Sequence, residues 1–143
     1  MNIVPFDKSH IDAIIPQRAQ ASDLLMARED ESSMDVITEN SDALTGMVDG
    51  KPVFCIGKTK QWKGRYIVWA LLSNTANKHM VAIVRACRRI IEAQRGDGRH
   101  EIIVRADFQE GCKLAKMMGF KFHHDEERFL PDGTDAKIYV RYI

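Results

Sequence analysis

No apolar run in this chain of 143 residues approaches the roughly 20 residues that a membrane-spanning helix needs. The N-terminal MNIVPFDKSH also lacks the basic start and apolar stretch of a secretory leader, so no membrane contact and a cytoplasmic location are expected. Cysteine is scarce. Cys55, Cys87 and Cys112 are odd in number and form no close pair, which argues against a disulfide framework or a zinc knuckle and fits buried, reduced thiols. Repeats, low-complexity tracts and Pro/Gly/Ser-rich linkers are missing too, so residues 1–143 are expected to form one domain. Glycine is absent from residues 65–95.

What is present describes a globular chain. A mass of 16.3 kDa with 45% hydrophobic and 29% charged residues suffices for a sizeable core without staples. The formal net charge of +1 hides an asymmetry: residues 1–50 hold ten acidic and three basic side chains, residues 51–105 twelve basic and three acidic. Lys58, Lys60, Lys63, Arg65, Lys78, Arg85, Arg88, Arg89, Arg95 and Arg99 could therefore form a positive patch facing a phosphate, a nucleic acid or an acidic partner. The plainer alternative is a set of solvated faces neutralised by the acidic first third.

Residues 2–6 read as a first strand, and Ser9 offers a helix cap before IDAII, which Pro16 ends. A second helix is expected over residues 21–28. LTGMV and PVFCIG flank Asp49-Gly50, a favoured two-residue hairpin turn, and YIVWALL is a nearly continuous apolar run suited to a strand covered on both faces. Over residues 75–94, Met80, Val81, Val84, Cys87 and Ile91 recur at helical spacing, which predicts the longest helix, stopped by Gly96 and Gly98. HEIIVR follows as a buried strand, and residues 107–118 as a helix with Phe108, Cys112 and Ala115 on one stripe. In KLAKMMGFKFHH, Gly119 suits a helix C-terminus, and Phe120 and Phe122 suit one face of the next strand. A turn at Pro131-Asp132-Gly133 leads into the last strand, AKIYVRYI.

This order, with YIVWALLS feeding the long helix and EIIVRADFQEGCKLAKMMGFKF supplying strand, helix, Gly-Phe and strand, resembles the GNAT acetyltransferases. The resemblance implies an α/β domain whose mixed, mostly antiparallel central sheet is flanked by about four helices and splays open to admit acetyl-CoA. Within that superfamily, the spacing from Trp69 through MMGFKFHH is also similar to small GNAT-fold internal virion proteins of tailed podophages. By the resemblance, strand backbone at Leu71, Leu72 and Ser73 would hold the pantetheine arm. The start of the long helix, at Asn77, Lys78, His79, Met80 and Val81, would receive the pyrophosphate.

Two departures weigh against activity. The family's Gln/Arg-x-x-Gly-x-Gly/Ala phosphate loop is replaced by SNTANKHMVA, where side chains at Lys78 and Met80 would crowd the approach although Lys78 could add a phosphate contact. The usual Tyr acid four residues before the glycine of Gly-Phe, and an Asn eleven before it, are replaced by Ala115 and Phe108. Tyr66, Cys112 and Ser73 lie in elements that could face the cleft, but structural roles suit each, and no catalytic base or acid is assigned. Two functions follow as expectations. One is a non-catalytic virion or assembly protein with a degenerate acetyl-CoA site, binding a virion or host protein through the basic helix residues Arg85, Arg88 and Arg89. The other is an active N-acetyltransferase moving acetyl from acetyl-CoA to an amine.

Weaker constellations carry less. HHDEE gathers metal-ligand types, but neighbouring strand residues point to opposite faces, so no metal site is expected. Trp62 and Trp69 near Lys60, Lys63 and Arg65 could stack on bases, yet Trp69 reads as core, so specific nucleic-acid binding is not expected.

Overall fold

In the computed structural model, the residues described are 1–17, 20, 41–93 and 98–143. Their strands are β1 (Asn2–Pro5), β2 (Ser41–Val48), β3 (Lys51–Trp62), β4 (Arg65–Leu72), β5 (Arg99–Arg105), β6 (Lys121–Glu126) and β7 (Ala136–Tyr142), and their helices α1 (Lys8–Ala13), α2 (Met80–Glu92) and α3 (Gln109–Met117). The strands form one sheet in the order β1-β2-β3-β4-β5-β7-β6, antiparallel throughout except for the parallel pair β4/β5. The mixed α/β domain expected from the sequence is the one observed. Three helices are described, and the helix expected over residues 21–28 lies outside the described residues.

Alternation along the central strands sends side chains into two apolar layers. Phe54, Ile56, Val68, Leu72, Ile102 and Val104 pack under α2 and α3, against Ile83, Cys87, Ile91, Leu114 and Met118. On the opposite face Cys55, Leu71 and Trp69 meet Ile11 and Ile14 beside α1. β4 is thus covered on both faces, and all three cysteines are free thiols.

Local chemistry accounts for the element ends. Asp49 and Gly50 take φ of 50° and 74°, both positive as a type I′ hairpin turn requires. A β-carbon at Gly50 would meet no atom within 4 Å, so Gly50→Val tests backbone strain alone: a loss of about 1 kcal/mol or more is expected, and an unchanged melting temperature would count against the turn. After α3, Gly119 has φ 90°, its N–H donates to the Lys116 carbonyl (3.0 Å), and the Phe120 N–H donates to the Ala115 carbonyl (3.1 Å). These paired bonds are the Schellman closure of a helix, with Phe120 buried as its apolar lock.

Four expectations need correction. The cap of α1 is Asp7 rather than Ser9: its carboxylate accepts from the Ser9 N–H at 2.9 Å, and the His10 ring accepts from the Asp7 N–H at 3.1 Å. The long helix starts at Met80, because a 3-10 turn (Ala76–His79) precedes it. Phe122 does not join Phe120 in the core; it is half exposed and packs edge-on against Tyr139. Finally, a register shift between Phe122 and His124 is a β-bulge that breaks the alternation assumed for HHDEE. It brings the Nδ1 atoms of His123 and His124 to 2.7 Å, with His124 Nε2 2.8 Å from Glu126.

Candidate functional site

β4 and β5 pair only from Arg65/Arg99 to Val68/Ile102. Beyond that point β4 continues to Leu72 and β5 to Arg105 without pairing each other, so the sheet opens into a wedge roofed by α3. The wedge holds a cavity of about 280 Å³ walled by Val68, Ala70 and Leu72 on one side, Ile102 and Val104 on the other, and Phe108, Leu114, Ala115 and Met118 above. Ala115 and Phe108, the positions where the resemblance would place an acid and an Asn, are buried apolar walls of this cavity. Its only polar lining side chains among the described residues are Gln20, Trp69 and Arg105.

An unpaired strand edge leaves N–H and C=O groups that need partners. The Ser73 N–H donates to the Val53 carbonyl of β3, so by alternation the backbone groups of Ala70 and Leu72 face the wedge. Three of them are already taken. The Gln20 carboxamide donates from Nε2 to the Ala70 carbonyl and accepts the Leu72 N–H on Oε1, both at 2.9 Å. The Gln17 N–H donates to the Leu72 carbonyl at 3.0 Å, and the Asn74 N–H donates to the Ile15 carbonyl at 2.8 Å. Pro16, expected only to end a helix, forms an antiparallel bridge with Ser73.

The strand-to-helix junction is similarly satisfied. The Ala76 N–H donates to the Ser73 carbonyl (3.1 Å) and the Lys78 N–H to the Thr75 carbonyl (3.2 Å), while the Thr75 N–H reaches Ser73 Oγ at 3.3 Å. A turn closed in this way presents fewer donors to a phosphate than an open helix end does.

The residues proposed from sequence for the acetyl-CoA seat are scattered around this junction. Leu72 lines the cavity, whereas the Leu71 side chain packs on the opposite face near α1. Ser73 is buried, with its hydroxyl 3.0 Å from Thr75 Oγ1. Asn77 Oδ1 accepts from Gln17 Nε2 at 3.3 Å. Lys78 and His79 line a separate, more polar groove of about 450 Å³ with Lys51 and Asn74. Met80 packs against the main core, and Val81 is exposed.

None of the three side chains considered as a replacement acid lines the cavity. The Tyr66 ring stacks on His100 (centroids 4.9 Å apart) beneath the Lys58 ammonium (4.3 Å), beside the paired end of β4 and β5. His100 Nδ1 lies 3.1 Å from the Gly98 carbonyl and must donate to it, so Nε2 accepts from Lys58 Nζ at 3.2 Å. Burial, together with the neighbouring Cys112 thiol, pushes the Tyr139 phenol up to about 12.

Arg105 is nearly buried at the cavity's end. Its Nη2 donates to Asp132 at 2.7 Å and Thr134 at 2.9 Å, and its Nε to Asp107 at 3.3 Å. Hydrogen bonds from the guanidinium hold the Asp132 carboxyl well below the usual carboxylate range. Arg105 therefore pins the β6–β7 turn to β5. At the paired end Glu101 accepts from Arg65 at 2.7 Å and Arg99 at 3.0 Å.

Sequence reasoning missed Gln20 and Arg105. Gln20 gave no signal, since its partners lie 50 and 52 residues away. Arg105 ended an apolar strand, where an inward-turned guanidinium could have been suspected. Among the described residues no group of three or more His, Cys, Asp or Glu could hold a metal ion, and no described helix is long and apolar enough to cross a membrane.

No family model matches the chain, and a search of curated proteins finds no match. Solved structures do match over their whole length. Ard1 from Thermoplasma volcanium superposes with a TM-score of 0.67 at 18% identity, covering 99% of this chain and 97% of that one. The IAA acetyltransferase from Bacillus cereus gives 0.72 at 10% identity, covering 99% of each chain. A GNAT family acetyltransferase from Elizabethkingia anophelis, solved with acetyl-CoA bound, gives 0.63 at 12% identity, covering 99% of this chain and 97% of that one. At such identities a likeness speaks for the fold alone, and that fold, with its parallel β4/β5 wedge, is that of the GNAT acetyltransferases.

Proposed function

We propose that the chain keeps the GNAT scaffold but has a degenerate acetyl-CoA seat, and that it serves a non-catalytic, assembly-type role. The observation that carries this reading is the occupied edge: the Ala70 carbonyl and both the N–H and the carbonyl of Leu72 are bonded to Gln17 and Gln20. A pantetheine arm would have to break those bonds before making its own. The cavity wall adds to the case. A departing thiolate needs a proton donor and a developing oxyanion needs aimed donors, yet α3 turns only Gly111, Leu114 and Ala115 to the cavity, and an arginine stays protonated at neutral pH. The assembly role itself, in a phage particle or against a host protein, rests on the resemblance of the spacing from Trp69 through MMGFKFHH to podophage virion proteins, to which no family model or curated protein adds. The exposed Arg85, Arg88 and Arg89 on α2 would supply its contact face.

The second reading, an N-acetyltransferase, is favoured by the open wedge itself and by Lys51, Lys78 and His79 around the neighbouring groove. Release of free thiol from acetyl-CoA in the presence of small amines and peptide N-termini separates the two. The rate is expected to match the protein-free control; protein-dependent turnover would restore the enzyme.

A further inference from the structure

We infer that the Gln20 carboxamide is a built-in surrogate for the successive amides of an extended ligand, a latch that closes the wedge by satisfying the edge such a ligand would otherwise use. The inference rests on the degenerate-seat reading and assigns that closure to one side chain.

Three features of the geometry support it. A primary carboxamide presents an N–H and a C=O side by side, the pair that an extended ligand presents to a strand edge with the N–H of one amide and the C=O of the next. Here both halves are used on alternate residues of one strand, Nε2 on the Ala70 carbonyl and Oε1 on the Leu72 N–H, each at 2.9 Å. Second, the same side chain lines the 280 Å³ cavity, so the groups it engages and the space it bounds belong to one site. Third, the backbone beside it is anchored independently: the Gln20 N–H donates to the Gln17 carbonyl at 2.9 Å, and the Gln17 N–H donates to the Leu72 carbonyl at 3.0 Å. Loss of the carboxamide therefore frees two backbone groups while leaving the bonds of the Gln17 N–H and the Gln20 N–H in place.

The ligand class follows from the site. Two successive secondary amides would replace the carboxamide, one donating its N–H to the Ala70 carbonyl and the other accepting the Leu72 N–H on its C=O. An apolar or thioester end would enter the cavity walled by Val68, Ala115 and Met118. In the resting protein such a ligand must first displace Gln20, so its apparent affinity is reduced by the fraction of molecules whose latch is open.

The test is titration of the full chain and two variants with acetyl-CoA and, separately, with pantetheine. Gln20→Ala removes the latch; Gln20→Met keeps the length and apolar bulk but lacks both hydrogen-bonding groups, which guards against collapse of the cavity. Both variants are expected to bind both probes at least about tenfold more tightly than the unmodified chain, and to exchange the Leu72 amide proton faster. Variants that fold and bind no more tightly than the unmodified chain would overturn the latch. The degenerate-seat reading fails separately, if the unmodified chain already binds acetyl-CoA in the micromolar range; the latch survives that result only if the variants bind tighter still.

Discussion

Phe54→Ala is expected to lower the stability of the fold by about 3–5 kcal/mol, the largest effect of any single substitution considered. Phe54 is completely buried in the layer under α2 and α3, and its ring lies over Gly46, its register partner on β2. A β-carbon on Gly46 would overlap that ring, so the glycine is the floor on which the phenyl rests, and neighbouring backbone cannot collapse into the space an alanine leaves. Set against the roughly 5–15 kcal/mol that stabilises a typical domain, such a loss would lower the melting temperature by about 10 °C or more. Thermal unfolding followed by circular dichroism reads the effect, and a shift below about 2 °C would show that the ring is not a central element of the core.

Gly57→Val is expected to cost about 1–3 kcal/mol by the opposite route, overpacking. Gly57 faces Trp69 across the β3/β4 pair, and a β-carbon there would overlap the indole. That indole is held edge-on by Phe6, with ring centroids 5.5 Å apart. A valine must push it from that contact. In a Trp62→Phe background, which leaves Trp69 as the only tryptophan, the emission should move to the red as the ring is forced out. A stable variant with unchanged emission would mean that the glycine is not needed to seat the ring.

These positions show how far the chain is readable without its structure. Asp49-Gly50 and Gly119-Phe120 were legible because each depends on two adjacent residues and on positive φ at a glycine, and strands such as YIVWALL because burial on both faces leaves a continuous apolar run. The 3-10 turn before α2 was not, since residues 76–79 are compatible with an α-helix and only the backbone geometry distinguishes the two. Nor was the bulge at His123, which reverses the alternation by which adjacent histidines were placed on opposite faces.

For the site, the departures at Phe108, Ala115 and the glycine-free junction were visible once the chain was set beside the GNAT pattern it resembles, and the cavity wall places Phe108 and Ala115 together. What closes the strand edge was invisible. A glutamine twenty residues from the N-terminus has no periodicity that could mark it as the partner of Ala70 and Leu72. Such a contact is set by how the chain after α1 crosses the sheet, a tertiary property with no local signature.

The degenerate seat is tested most directly by calorimetric titration of the unmodified full chain with acetyl-CoA. Edge and junction groups already satisfied within the chain leave little to hold a large, flexible ligand, and a helix end alone contributes on the order of 0.3–1 kcal/mol toward an exposed anion. A dissociation constant at or above about 1 mM, equivalent to about 4 kcal/mol, is the expected result. Binding in the micromolar range, with one acetyl-CoA per chain, would contradict it.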